Sequence, residues 1–210
     1  VRYAANSLRR LAHASPRDMP MRLSQIDHTT LTGDQLALYQ NMKSGIETSF
    51  KGFTAIDESG DLVGPWNPWL SFPQFGGPVW DLVKALAANP KLPKPVREIA
   101  ILVTGAHFHA AYELYAHILV AELRGLSDTK IRTITAGTRP ADLTDEEGLA
   151  YDFALELVTG GIVPELIYRE MIARFGEEAT AEFIYLVGLY CSVSVTLNGF
   201  KVPLPPAEDR

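Results

Sequence analysis

Apolar positions along this chain recur at helical spacing, and strand-like alternation is sustained nowhere. From Leu31 to Met42, the residues Leu36, Leu38, Tyr39 and Met42 predict an amphipathic helix with those side chains inward. A helix is expected from Pro78 to about Ala88, closed by Asn89-Pro90, and Pro93 and Pro95 set up another starting at Val96. Thr104-Gly105 reads as a break in it. The next helix spans about Ala110 to Arg124 and stops at Gly125, and Ser127 opens a short one that ends near Gly137. Thr144-Asp145-Glu146-Glu147 has the form of a capping box for a helix reaching Thr159. Gly160-Gly161 stops that helix, Pro164 starts another, and Phe175-Gly176 ends it. The last and most apolar helix is expected from about Glu177 to Leu197. The fold class is therefore all-α.

Residues Gly45 to Gly77 interrupt this regularity with glycines, prolines and large aromatics, among them Trp66, Trp69, Phe72 and Phe75. A long aperiodic stretch of that kind is either functional or an arm wrapped over the core, and the two are compatible. The uncharged run from Phe183 to Phe200 is too polar in its second half for a membrane span and reads as a buried central helix.

Composition narrows the functional classes. The chain has 210 residues, 47% apolar and 21% charged, enough for one self-sufficient core. Its net charge of −6 carries no footprint for nucleic acid or an anionic membrane. The basic, acid-free start, with Arg2, Arg9, Arg10 and Arg17, reads as an extension over residues 1–20, with a transit peptide or an early start before Met19 or Met21 as alternatives. The helical domain covers 21–200, and a Pro-rich tail covers 201–210. The lone Cys191 cannot form a disulfide within the chain, a CxxC pair or a cysteine-based zinc site.

The chemistry concentrates between Arg97 and His117. Glu98, Glu113, His107, His109 and His117 stand among apolar residues, and His109, Glu113 and His117 are spaced four apart, on one face if the helix starts early enough. A short break at Gly105 would fold Glu98 back toward that face. Three readings stay open: buried structural carboxylates, a Glu–His proton-transfer set, or a metal site on His109, Glu113 and His117. No G-x-S-x-G motif and no phosphate-cradling glycine loop is present.

The segments Arg97-Glu98-Ile99-Ala100-Ile101-Leu102, Tyr112-Glu113 with His117 four residues on, and Ala121-Glu122-Leu123-Arg124-Gly125-Leu126-Ser127 resemble the carboxymuconolactone decarboxylase family of the alkylhydroperoxidase D-like (AhpD-like) superfamily. Gly64-Pro65-Trp66-Asn67-Pro68-Trp69-Leu70 resembles its G-P-F-N-P loop. The resemblance implies an AhpD-like helical domain assembled as a homo-oligomer, a trimer or hexamer, in the cytoplasm. It implies a cofactor-free lyase acting on a small lactone or related cyclic acid, with His117 as general acid or base, Glu113 as its partner and Glu98 fixing the imidazole tautomer. Trp66, Trp69, His107, His109, Tyr112 and Tyr115 would line an apolar pocket, and Arg97 would be the one candidate clamp for a second carboxylate. The peroxidase branch of the superfamily carries a CxxC, whose positions fall here on Ala110 and Glu113, so thiol peroxidase chemistry is expected to be absent. A ligand-binding protein without catalysis and a metal-dependent enzyme are the remaining alternatives.

Overall fold

A computed structural model of the chain describes residues 21–206. The proposed basic extension 1–20 and the end of the Pro-rich tail, 207–210, lie outside these. Eight α-helices are described: α1 (Gly33–Ser49), α2 (Trp66–Ser71), α3 (Pro73–Ala88), α4 (Lys94–Phe108), α5 (Ala111–Leu123), α6 (Asp128–Thr135), α7 (Asp145–Thr159) and α8 (Glu165–Phe200). Among the described residues β-pairing is limited to one isolated bridge, Ile56 with Leu62. The all-α expectation holds.

Local signals placed several ends well. Ser127 caps α6 by accepting from Lys130 N–H, and Thr144 and Glu147 form the reciprocal capping box of α7. Gly176 takes φ +83°, a conformation that glycine adopts without a Cβ penalty, and there the backbone leaves helical geometry and bends α8.

Three expectations are corrected. The helix expected from Pro78 begins at Pro73, with Pro78 inside it, because the N–H groups of Phe75 and Gly76 both donate to the carbonyl of Phe72 and start the helix earlier. The supposed loop Gly45 to Gly77 is partly helical: α1 runs to Ser49, and α2 and the start of α3 occupy its last third. The central helix is α4, whose residues from Glu98 to Ala106 are all buried, and it packs against α5, α6, α7 and α8. Helix α8 buries one face only and leaves Tyr185 and Val195 exposed. Its most apolar window, of mean hydropathy 1.5, meets the length and composition of a membrane span. Phe183, Leu186, Val187, Leu189, Val193 and Leu197 are buried against the rest of the fold and account for part of that apolarity.

Two apolar clusters meet along α8. One joins α4, α6, α7 and the first half of α8 through residues such as Ile99, Leu102, Phe153 and Phe183. The other joins α1, α2, α3, the start of α5 and the end of α8 through Met42, Trp66, Trp69, Trp80, Ala116 and Val193. Each fully buried Leu, Ile or Phe contributes roughly 1.5–3 kcal/mol relative to exposure. Segment 50–65 lies over the second cluster and is tied down along its length. Tyr112 Oη donates to the Thr54 carbonyl at 2.5 Å, Tyr115 Oη accepts from Thr54 N–H at 3.2 Å, and Tyr39 Oη donates to the Gly60 carbonyl at 2.8 Å.

Candidate active site

The α4–α5 corner builds the site. Helix α4 does not break at Gly105 but continues to Phe108, and the chain turns at His109, which takes the left-handed conformation (φ +51°). Glycine at 105 serves packing instead. A Cβ there would lie 3.1 Å from Glu113 Oε1 and 3.1 Å from Leu114 Cδ2, so its absence lets α5 lie close on α4.

This geometry removes two of the expected site histidines. His109 precedes α5 and is exposed, and His107 is also exposed, with its ring edge-on to Phe108. Neither lines a cavity with His117. The proposed metal set of His109, Glu113 and His117 is therefore not assembled. Among the described residues, the one group of three or more His, Cys, Asp or Glu with ligand atoms within 4.8 Å of one another is Asp27, His28 and Asp61. Those carboxylates stitch a loop: Asp61 Oδ1 accepts from His28 N–H at 2.8 Å, and Asp27 Oδ1 accepts from Thr29 N–H at 2.8 Å.

What the corner does assemble is a chain of three charged or ionisable side chains. Glu98, on α4 and 1% exposed, sets Oε2 2.8 Å from His117 Nδ1 and Oε1 2.8 Å from an Arg124 guanidinium nitrogen. A carboxylate can only accept, so His117 carries its proton on Nδ1 and presents Nε2 as its free ring nitrogen. Tyr190 of α8 packs edge-on against the imidazole, ring centroids 4.9 Å apart, and burial pushes its phenol above the ordinary range. Arg97 takes no part in this chain. Its guanidinium is held by Glu182, which also accepts from the N–H groups of Lys91 and Leu92 and so fixes the entry to α4.

Glu113 pairs differently from the expectation. Its partner is Ser194 of α8, which donates to Oε2 at 2.5 Å, while Oε1 is buried with no hydrogen-bond partner. Burial raises its carboxyl from 4.5 to about 8, against a smaller opposing effect of the Ser194 hydrogen bond. At neutral pH Glu113 is accordingly a neutral carboxylic acid, able to donate.

His117 and Glu113 both line one narrow cavity that is partly open to solvent. Trp66, Trp69 and Tyr112 line it, together with Phe50, Phe53 and Tyr190. Tyr115 does not line it and instead anchors segment 50–65. Trp66 Nε1 is buried without a hydrogen-bond partner. Phe72 stacks on Phe200 and Phe75 is exposed, so neither contributes.

Sequence reasoning missed Arg124, Ser194, Tyr190, Phe50 and Phe53. Arg124 was legible in principle, since it follows His117 by seven residues and so returns to the same helix face. Ser194 and Tyr190 carried no local signal, because α8 reaches the site only through tertiary packing.

No protein-family model matches the sequence, and no curated protein matches it. The chain is similar to a crystal structure described as the alkylhydroperoxidase AhpD core of an uncharacterized peroxidase-related protein from Ralstonia eutropha JMP134, at TM-score 0.73. That likeness covers 90% of this chain and 95% of that one, at 15% sequence identity. The protein has the AhpD-like all-helical fold.

Proposed function

We propose that the protein is a cofactor-free lyase of the carboxymuconolactone decarboxylase type, acting by proton transfer on a lactone or related cyclic acid. The observation that carries this reading is the pairing of a histidine, its Nδ1 held by Glu98, with the neutral acid Glu113 on one aromatic-walled cavity. In such a reaction the bond from the ring carbon to the leaving carboxylate breaks, and carbon dioxide departs. The electron pair delocalises into the ring carbonyl. The carboxylic acid of Glu113 would stabilise the developing oxyanion, and His117, charged by a proton from solvent, would deliver that proton to carbon. The apolar walls favour loss of charge from the leaving carboxylate.

A dithiol peroxidase is the weaker reading. Ala110 is fully buried at the corner, Glu113 occupies the second cysteine position, and Cys191 has its thiol pushed up by burial, which disfavours the thiolate. The proposed homo-oligomer is checked by light scattering.

The test of function is turnover of a panel of cyclic lactone acids in deuterium oxide, following carbon dioxide release and the incorporation of one deuteron into the product. His117→Gln and Glu113→Gln should each lose that turnover. If both variants work as fast as the parent on every accepted compound, the proton-transfer mechanism is wrong.

A further inference from the structure

A second cavity, partly open to solvent, is lined like the first by His117 and Tyr190 but differs in chemistry. Lys51, Arg97, Arg124 and Glu98 are among its lining residues. Two of its three cations have other employment or none that is specific. Arg97 is locked to Glu182, and Lys51 is an exposed residue just beyond α1 whose ammonium donates to the Glu47 carbonyl.

Arg124 stands apart. Its side chain is 32% exposed, and its ion pair with Glu98 uses one edge of a guanidinium that has five N–H donors. Burial holds the Arg97 guanidinium below its ordinary range, and the Arg124 charge pushes the same way, so the two cations feel each other across this wall. Each already has a carboxylate partner, Glu182 for Arg97 and Glu98 for Arg124, so what sets Arg124 apart is the part of its guanidinium left exposed and unpaired with Glu98. The planar fork of arginine suits a carboxylate better than the lysine ammonium at the rim.

We propose that Arg124 is a specificity-determining residue that binds a carboxylate of the ligand in the second cavity, while the ligand's ring reaches past His117 into the aromatic one. This rests on the lyase reading only in taking the ligand to be the substrate; the anion preference is a property of the cavity itself. Arg124 would then connect the bound anion to the Glu98–His117 pair, because Glu98 Oε1 keeps its edge of the guanidinium while the ligand takes another. Lys51 at the rim would draw anions in without selecting among them.

Benzoate and benzamide make a suitable pair of probes, since they share a ring and differ in charge. Calorimetric titration of the full chain should show benzoate binding at least about tenfold more tightly, a difference of about 1.4 kcal/mol, and the preference should shrink as salt is raised. Arg124→Gln should abolish the preference while leaving benzamide affinity unchanged, Arg124→Lys should keep part of it, and Lys51→Gln should keep nearly all. If Arg124→Gln fails to fold, the double variant Glu98→Gln/Arg124→Gln, which leaves no unpaired buried carboxylate, should show the same loss. Equal affinity of the parent for both probes, no benzoate binding, or a preference that survives in the folded single or double variant overturns the proposal. His117→Gln separates the two readings. It should keep the benzoate preference and lose turnover; if turnover persists there, the lyase mechanism falls while the anion site stands.

Discussion

Glu98 and His117, nineteen residues apart on successive helices, meet at 2.8 Å across the turn at His109. The contact joins a fully buried carboxylate to an imidazole at the edge of two cavities, and Arg124 occupies the carboxylate's other oxygen. The imidazole is thereby held in one tautomer with Nε2 free. Replacing Glu98 with Ala removes the acceptor for both neighbours. Arg124 is partly exposed and can be rehydrated, so the cost should be about 1–3 kcal/mol, below that of a fully buried pair. Urea denaturation measures it, and an unchanged midpoint would show that the pair contributes nothing to stability. Turnover in Glu98→Gln should fall while His117→Gln loses about 10²–10⁴-fold, the usual range for a positioned acid or base.

Glu113 makes stability depend on pH in the direction opposite to most carboxylates. Its folded-state value of about 8 lies above its ordinary 4.5, so the folded protein holds this proton more tightly than the unfolded chain. The resulting stability is complete below about pH 4.5 and is lost as pH rises through about 8. At about 1.4 kcal/mol per unit the upper bound is about 5 kcal/mol. Glu113→Gln, neutral at every pH, should show a flatter profile than the parent between pH 5 and 9 in denaturant titrations. Parallel profiles would mean that Glu113 is ionised in the folded state. Activity that needs the neutral acid should decline above about pH 8.

Gly76→Ala should be severe. A Cβ at this position in α3 would lie 2.2 Å from the carbonyl oxygen of Trp69 and 2.4 Å from its Cα. Backbone cannot swing aside as a side chain can, so α2 would have to move and take the Trp66–Trp69 wall with it. A loss of more than about 3 kcal/mol is expected, read as a drop in melting temperature with altered tryptophan fluorescence. Near-parental melting would show that α2 and α3 separate easily.

Cys191→Ala should leave turnover unchanged and should remove no peroxide-consuming activity. The thiol is only half-buried, yet burial and the neighbouring Glu113 both push it up and away from the thiolate. A dithiothreitol-coupled assay with an alkyl hydroperoxide checks this, and peroxide turnover that disappears in the variant would restore a thiol mechanism.

Local chemistry determined the helical content, the capping of α6 and α7 and the stop at Gly176, because caps, prolines and glycines act through neighbouring backbone groups. It also marked Glu98, Glu113 and His117 as ionisable groups in an apolar setting. It misplaced the α4–α5 turn at Gly105, where lack of a side chain serves close helix contact and not chain reversal. That shift of a few residues put His109 outside α5 and dissolved the expected histidine–glutamate face. Which partner each carboxylate takes was decided by packing alone: Ser194 and Tyr190 come from a helix about eighty residues away in sequence, and Arg124 from the far end of α5. Helical periodicity says which residues face inward, but only the docking of α8 on α4 and α5 says what they face.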